Sequence, residues 1–513
     1  MMPGPDLQQG VRLTDIPDGG SIAGQLGEET VLLVRKGDEL FALDAFCTHY
    51  HGPLAEGAIV GGTVRCPWHH ACFDLRTGSA VAAPAMKPLR VFAVVRDGDT
   101  VRVLPPVEHV VIVGGGAAGS FAAAELRRVG FAGRVTLLTR EDRLPYDKPN
   151  LSKDYLAGSA PSEWIPLRGE DEYADARVDL RLRAAVDRID PERSTVHLAS
   201  GESIAFDRLI LATGAVPRRL DVPTDDAARV HYLRTWTDAD ALRAAVEDRR
   251  SRLSGQAGLP VPHKAVVIGT GFIGLEAAAS LRQRGLEVTV IGRDEQPLAH
   301  ILGPEVGDFV RRVHEEHGVR FRLGRNPAAI RADGVVLDDG SSEPADLVVI
   351  GVGVEPDLTL AEQAGLAVDR GIIVDETLRT SAPNIYAAGD AARFPYARTG
   401  ASIRVEHWVV AGRQGQAAAR NAIGRHERYA AVPFFWSQHY DLVLAYVGNA
   451  ARAEEVELFG SLDEHNAAAV IREGGRVAAV VTLFRDDVSL AVEAAMETGA
   501  DDEAILGIVR GAF

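Results

Sequence analysis

Cysteine is scarce in this chain: three residues among 513, all between positions 47 and 72. An odd trio so placed cannot staple a disulfide framework, and reduced thiols are expected. Long apolar runs are missing as well. The longest uncharged stretch, Val110 to Ala124, is fifteen residues with four glycines, shorter than the ~20 apolar residues a membrane span needs. The opening residues, MMPGPDLQQG, lack the basic start and apolar core of a secretory signal. A cytoplasmic protein with no membrane contact is the expectation. Basic charge is in deficit: 55 Lys plus Arg against 72 Asp plus Glu leave a net charge of −17. Such a field repels phosphate backbones and anionic headgroups, so nucleic acid is not expected as a partner.

What remains is an ordinary globular composition, 46% hydrophobic and 25% charged, in a chain long enough for about three domains. Up to residue 105 the pattern is short and β-like, with VLLVR, LFALDAF, TVRCPW and LRVFAVV separated by the turn signals PDGG, KGDE and DGD. Pro105-Pro106 breaks that pattern. From Val107 apolar strands alternate with amphipathic helical stretches, as in a parallel α/β sheet. The unit VEHVVIVGGGAAGSFAAAELRRVG followed by RVTLLT is echoed by HKAVVIGTGFIGLEAAASLRQRG followed by LEVTVIG. Strand, glycine turn, helix and strand thus occur twice. A Gly/Pro-punctuated connection, SRLSGQAGLPVPH, precedes the second copy, and the last eighty or so residues, from VPFFWSQHY, return to short strands with aromatics.

Two clusters carry chemistry in the β-like region. Cys47-Thr48-His49 and Cys66-Pro67-Trp68-His69 give C-x-H and C-x2-H on two turns that follow strands. Two thiolates and two imidazoles converging there suit either a tetrahedral zinc or a two-iron cluster with cysteines on one iron and histidines on the other. His51 and His70 adjoin the set but fall out of its register, and Cys72 reads as a small buried apolar group.

Each glycine turn is a dinucleotide signature. Gly114-x-Gly116-x-x-Gly119 lies between an apolar strand and an Ala-rich helix, so that backbone can approach a pyrophosphate at the helix N-terminus. Glu141 follows the next strand, where an acid takes ribose hydroxyls. Gly269-x-Gly271-x-x-Gly274 repeats the geometry. After its second strand the chain reads Gly292-Arg293-Asp294. Gly292 would leave room for a 2′-phosphate that Arg293 could pair, while Asp294 suits bare ribose hydroxyls, so NADH and NADPH both stay open.

The spacing and flanks of the first cluster, THYHGPLAEG and CPWHHACFDLRTG, resemble the Rieske family, which implies a [2Fe-2S] cluster held by Cys47, His49, Cys66 and His69. Respiratory Rieske proteins add a disulfide where this chain has Gly52 and Trp68. They also carry Ser and Tyr hydroxyls that HACFD lacks, which implies a potential toward the low end of the roughly −150 to +300 mV Rieske range. The glycine turns, with LILATG (ending at Gly214) and NIYAAGD (Gly389, Asp390), resemble the two-dinucleotide-domain flavoproteins, which implies FAD at the first turn and NADH or NADPH at the second.

PYDKPNLSKDYLAG resembles the PYDRPxLSK segment of the ferredoxin and putidaredoxin reductases and the apoptosis-inducing-factor-like proteins. Lys148 stands for the usual Arg and Asn150 for a usual Pro. The resemblance implies that Lys153 lies by the flavin edge with Glu276 as the partner of its ammonium, and that Asp390 holds the ribityl and phosphate region. It also implies that Trp408, in Glu406-x-Trp408, lies near the nicotinamide and flavin rings, although plain core packing suits an indole too.

No cysteine beyond residue 72 is present for the redox pair of the disulfide reductases of this fold, nor for the sirohaem-linked cluster of nitrite reductases. The expected architecture is multidomain. It comprises an all-β Rieske domain (1–105), a Rossmann-like FAD-binding α/β domain in two parts (107–235 and 358–427), a Rossmann-like NAD(P)-binding α/β domain (236–357) and an α+β C-terminal domain (428–513). The expected function is an NAD(P)H-dependent oxidoreductase passing electrons through FAD and the cluster to an external acceptor, an oxygenase or another redox protein. The alternative is a redox-responsive binding protein of slow turnover.

Overall fold

The computed structural model describes residues 4–105, 107–254 and 264–513. Pro106, and with it half of the expected Pro-Pro boundary, lies outside the described residues, as does the 255–263 portion of the Gly/Pro-punctuated connection.

The N-terminal region is built of antiparallel strands. One sheet has the order Ser21–Leu26, Glu29–Lys36, Glu39–Asp44, Val91–Phe92, and a second the order Ala58–Val60, Thr63–Arg65, Cys72–Asp74, Ala80–Ala82. Val11–Arg12, Thr100–Val103 and Val94–Asp97 form a third. The VLLV run does not alternate because Glu29–Lys36 is covered on both faces: Leu32 and Val34 face one core, Val31 and Leu33 another. The first of those cores also holds Cys47 and Cys66, so both cysteine turns are anchored in packed apolar side chains.

This region meets the rest of the chain at the turn around His426. Arg76 Nη1 donates to the His426 carbonyl at 3.1 Å, and the Val94 N–H donates to His426 Nε2 at 3.3 Å. Burial first, then the Arg379 and Arg76 guanidiniums, push the His426 imidazole down to about 4, which keeps Nε2 an acceptor.

Two five-stranded parallel sheets follow, each with helices packed on it. The first has the order Val178–Arg181, Arg134–Leu138, His109–Val113, Arg208–Leu211, Ile385–Ala387. The second has the order Arg320–Arg322, Glu287–Ile291, Lys264–Ile268, Leu347–Ile350, Val230–Tyr232. Continuous apolar runs such as HVVIV and KAVVI are buried because both sheet faces are covered: in the second sheet Ala265 and Val267 pack with the helices Phe272–Gln283 and Pro304–Glu316, while Val266 and Ile268 pack with Ile330, Val335 and Leu337 of antiparallel strands. Each sheet carries a three-stranded antiparallel appendage at the same point of the chain, 186–205 in the first and 327–344 in the second. The internal repeat is therefore structural as well as sequential.

In each sheet the fifth strand comes from outside the repeat. Ile385–Ala387 completes the first from downstream, and Val230–Tyr232 completes the second from upstream. The expected boundary at 235/236 thus leaves a strand of the second sheet on the wrong side. Three residues, VHY, are too few to show a period, so pairing rather than pattern assigns them. The crossing points, Ala215–Pro217 and Val354–Pro356, pair with each other as an antiparallel ribbon.

The C-terminal region is a five-stranded antiparallel sheet in the order Phe434–His439, Leu442–Gly448, Arg476–Leu483, Asn466–Glu473, Glu455–Ser461, with helices Asp486–Glu497 and Asp502–Arg510. Leu442, Leu444 and Tyr446 join the core of the second parallel-sheet unit, while Val447, Val470 and Val480 pack against the two helices. Among the described residues no helix is long and apolar enough to cross a membrane.

Candidate functional site

Both glycine turns open into one cavity of about 650 Å³, whose lining includes Gly116, Lys153, Gly271, Glu276, Asp390 and Trp408. The three glycines of each turn are needed for different reasons. A Cβ on Gly114 would meet the Ala212 carbonyl at 2.1 Å, and one on Gly119 the Gly114 carbonyl at 1.9 Å. Gly269 and Gly274 are confined in the same way, by the carbonyls of Gly351 and Gly269. The middle positions differ: over Gly116 the nearest atom is Lys148 Cε at 3.9 Å, and over Gly271 nothing lies within 4 Å. Backbone packing requires the outer glycines, and open space over the middle one fits a pyrophosphate set on the helices Ala117–Arg128 and Phe272–Gln283.

That distinction yields an expected result. Gly271→Val should leave the melting temperature within about a degree of the parent and raise the dissociation constant for NAD(P)H about tenfold or more, because the new side chain occupies ligand space alone. Isothermal titration with unchanged flavin content checks it.

Around the first turn the charged groups are mutually paired. Glu141 accepts from Tyr146 Oη and from Lys148 Nζ, the latter at 3.0 Å. Burial lowers the affinity of the Lys148 ammonium for its proton, and the Glu141 carboxylate works against that shift. Asp390 Oδ2 accepts from Arg234 Nη2 at 3.0 Å, and its carbonyl accepts from Arg404 Nη1 at 3.1 Å. Gly214 and Gly389, at φ 71° and 80°, are left-handed turns whose backbone runs along the cavity wall. Trp408 begins the helix Trp408–Ala422 and faces the cavity, and Glu406 pairs with Arg404 at 2.7 Å.

Lys153 Nζ and Glu276 Oε2 are 2.8 Å apart, with the glutamate side chain only 2% exposed. Glu276 also accepts from Ser152 Oγ at Oε2 and from Ser437 Oγ at Oε1, each at 2.5 Å. A buried carboxylate is tolerated here because one cation and two hydroxyls face it. Three regions of the chain supply this group, joining the Lys148–Ser152 segment with Lys153, the helix Phe272–Gln283 and the C-terminal sheet.

A Cβ on Gly292 would meet Thr270 Cγ2 at 2.3 Å, so glycine at this position makes room for the Thr270 side chain. Arg293 is 77% exposed and lies 3.5 Å from Asp294, which also faces His300 at 3.5 Å.

In the N-terminal region the two cysteine turns share one backbone design. The His51 N–H closes onto the Cys47 carbonyl at 2.9 Å, and the His70 N–H onto the Cys66 carbonyl at 3.1 Å, with His51 and His70 both at φ 62°. Those two histidines therefore shape the turns, and His51 stacks on Phe46. Cys47 and Cys66 are buried and face each other, and the imidazoles of His49 and His69 meet edge to face at 5.1 Å. His49 Nδ1 is buried with no hydrogen-bond partner, which fits a metal-ligand nitrogen. A Cβ on Gly52 would come within 2.8 Å of Cys66 Sγ and 3.1 Å of the Trp68 ring, so glycine leaves the sulfur its space. Cys72 lies apart, buried in a strand opposite Arg65 and Ala82. Among the described residues no three or more His, Cys, Asp or Glu side chains gather as a site for a single ion. The donors form a sulfur pair and an imidazole pair, the division a two-iron cluster uses.

Several site residues escape the sequence patterns. Tyr146 stands inside PYDK, yet its bond to Glu141 is a matter of side-chain placement. Arg234, Arg404 and Ser437 stand in no motif and reach the cavity or its buried pair only through folding, and Ser152, though inside PYDKPNLSK, meets Glu276 only in the folded chain.

Comparison with known proteins agrees with this geometry. Residues 108–415 match the family model for pyridine nucleotide-disulphide oxidoreductase, and residues 9–93 match the Rieske [2Fe-2S] domain. The chain is similar to apoptosis-inducing factor 3 of Mus musculus, at 30% identity over 94% of this chain and 83% of that protein. It is similar to rhodocoxin reductase of Rhodococcus erythropolis, at 40% identity over 69% of this chain and 81% of that one. Among solved structures, the covalent putidaredoxin reductase-putidaredoxin complex superposes with a TM-score of 0.71 at 32% identity, covering 80% of this chain and 99% of that one.

Proposed function

We propose, on the premise that the chain belongs to the pyridine nucleotide-disulphide oxidoreductase family and carries a Rieske [2Fe-2S] domain, that it moves electrons from NAD(P)H through FAD and its own cluster to an external one-electron acceptor. When bound, FAD would supply hydride acceptance from NAD(P)H and release of single electrons, and a [2Fe-2S] cluster would supply one-electron transfer. The chain's task is binding, orientation and charge placement.

In this reading Gly114, Gly116 and Gly119 seat the FAD pyrophosphate, with Glu141 and Lys148 at the adenosine end, Gly214 and Gly389 along the wall, and Asp390 toward the ribityl chain. Gly269, Gly271 and Gly274 seat NAD(P)H, with Arg293 at the rim. Lys153 presents an ammonium to the reacting edge and Glu276 holds it there, while Trp408 closes the cavity over the rings. Cys47 with Cys66 would hold one iron of the cluster, and His49 with His69 the other. The observation that carries the reading is the single cavity joining both glycine turns at the Lys153–Glu276 pair. Rhodocoxin reductase and putidaredoxin reductase are named for redox-protein partners, which supports an acceptor of that kind. Here Tyr50, Trp68 and Met86, at 67%, 55% and 96% exposure, leave the cysteine-turn end of the N-terminal region open to one.

The test is a visible and low-temperature EPR titration of anaerobic protein with NADH, then NADPH. Bleaching of the flavin followed by the signal of a reduced Rieske cluster is expected, and the coenzyme that achieves it at one equivalent is the preferred one. Flavin bleaching with a cluster that stays oxidised would overturn the intramolecular route.

A further inference from the structure

A line of buried polar groups leaves the Lys153–Glu276 pair on the side away from the cavity. Ser437 Oγ, which contacts Glu276 Oε1, lies 3.1 Å from His439 Nε2, and His439 Nδ1 lies 3.3 Å from His314 Nε2. Ser437 and His439 are two residues apart on the strand Phe434–His439 and so share the sheet face that packs on the second parallel-sheet unit. His314 comes from the helix Pro304–Glu316 of that unit. All three side chains are buried. His314 Nδ1 has no hydrogen-bond partner. Beyond it stand Tyr440, its ring 5.3 Å from His314, and the exposed His317, stacked on Tyr440 at 3.7 Å.

The titratable and charged groups facing the two imidazoles are Lys153 and Glu276 at one end, His317, Tyr440 and Arg282 at the other. Burial, with Lys153 adding to it, pushes His439 down to about 3, and burial with the His439 and His317 rings pushes His314 well below its usual value. Both are neutral at pH 7, so each has one N–H and one acceptor nitrogen, the arrangement a proton wire needs. Packing alone does not call for it, since apolar side chains would fill the volume without two buried imidazoles and an unpartnered nitrogen.

The geometry points to a proton exit: Glu276, Ser437, His439 and His314 conduct away the proton that each turnover leaves at Lys153. The inference rests on the proposed function. One NAD(P)H gives two electrons and one proton, and two one-electron acceptors remove only the electrons, so NAD(P)H plus two oxidised acceptors become NAD(P)⁺, two reduced acceptors and one H⁺. Lys153 Nζ takes up the proton in the cavity as it gives one to Glu276 Oε2. Once protonated, the carboxyl rotates to bring its O–H to Ser437, whose hydroxyl turns from the carboxylate toward His439; the acid then passes its proton to Ser437 Oγ as that hydroxyl protonates His439 Nε2. His439 Nδ1 then gives its proton to His314 Nε2, and His314 Nδ1 releases one to water on the His317 side. His439 and His314 act through Glu276 and Lys153, and are positioning residues for the proton alone.

The experiment reduces anaerobic holoprotein with one equivalent of NADH, reoxidises it with ferricyanide in weak buffer, and follows proton release with an indicator dye in H₂O and D₂O. His439→Gln and His314→Gln are expected to slow proton release about tenfold or more and to enlarge its solvent isotope effect, with the rate of flavin bleaching by NADH unchanged. Nitrogen NMR of the resting protein should show both imidazoles neutral with Nδ1 protonated at pH 7. Should His439→Gln not fold, His314→Phe keeps a ring in the same space without a nitrogen and is expected to act alike. Parental proton release and isotope effect in these variants, or an imidazolium at His439 at pH 7, would overturn the exit path alone. Failure of NADH to bleach the parent flavin would overturn the functional reading, and the path with it.

Discussion

Cys66→Ser is expected to yield a protein that is yellow instead of brown. Its flavin should bleach with NAD(P)H at the parental rate, its reduced-cluster EPR signal should be absent, and its reduction of cytochrome c should fall about a hundredfold or more. Loss of a mere outer hydrogen-bond partner costs a metal site 10–100-fold, and removing a ligand costs more. The reasoning begins with placement. Cys66 is 2% exposed in the apolar core of the N-terminal region, with its sulfur in the space that Gly52 leaves clear. A serine oxygen there is a harder and shorter ligand, poorly matched to iron that prefers thiolate.

The loss should be confined to the cluster's branch of the path. Ferricyanide, small enough to take electrons at the flavin, should still be reduced, which separates a missing relay from a damaged flavin site. Cys72→Ser is the matched control: that thiol lies within a strand and should leave the EPR signal in place. Because cluster binding and folding of a small metal domain are coupled, the Cys66 variant should also lose protease resistance within residues 1–105 while the remainder keeps its own. Rapid cytochrome c reduction by Cys66→Ser would sink the proposed route through the cluster.

The parts legible in the sequence are those that backbone geometry dictates. A turn whose outer glycines face carbonyls at about 2 Å admits no other residue, so Gly114, Gly119, Gly269 and Gly274 announce themselves. The cysteine turns are equally constrained, and their Cys and His spacing reaches the page before any folding is considered. Parallel strands buried on both faces show as unbroken runs, and hence the repeat is visible. Where the reading ends, the cause is packing between distant segments. Gly292 reads as open in a string of letters, but the neighbouring parallel strand brings Thr270, 22 residues earlier in the chain, to within 2.3 Å of where its Cβ would stand. Val230–Tyr232 has too few residues to betray its sheet. Ser437 and His439 sit in WSQHY, where alternation marks a strand but says nothing of Glu276 beneath it. Their chemistry exists only because the C-terminal sheet packs on the second parallel-sheet unit, a contact no local pattern encodes.

Lys153→Met is expected to slow hydride transfer from NAD(P)H about a hundredfold, read by anaerobic stopped-flow of flavin bleaching, and to lower the melting temperature by roughly 5 °C or more. The two losses have different origins. Removing the ammonium leaves Glu276 buried with only the Ser152 and Ser437 hydroxyls, and an orphaned buried charge costs about 3–5 kcal/mol. That is a structural penalty and should be repaired by Lys153→Met/Glu276→Gln, in which a neutral amide oxygen still accepts from Ser437. The rate should not recover. A buried ion pair contributes little net stability compared with a well-packed neutral pair, because desolvating two charges offsets their attraction. If the pair were there to hold three segments together, the double variant would regain stability and rate at once, and near-parental hydride transfer in it would rule out a role for the charge. Stability restored with rate still low would instead mean that the ammonium acts on the reacting edge, where the charge, on a side chain only 13% exposed, is screened less than at the open surface. Glu276 then serves to keep that charge in place, aimed along the line from Ser152 to Ser437 that the fold has already fixed.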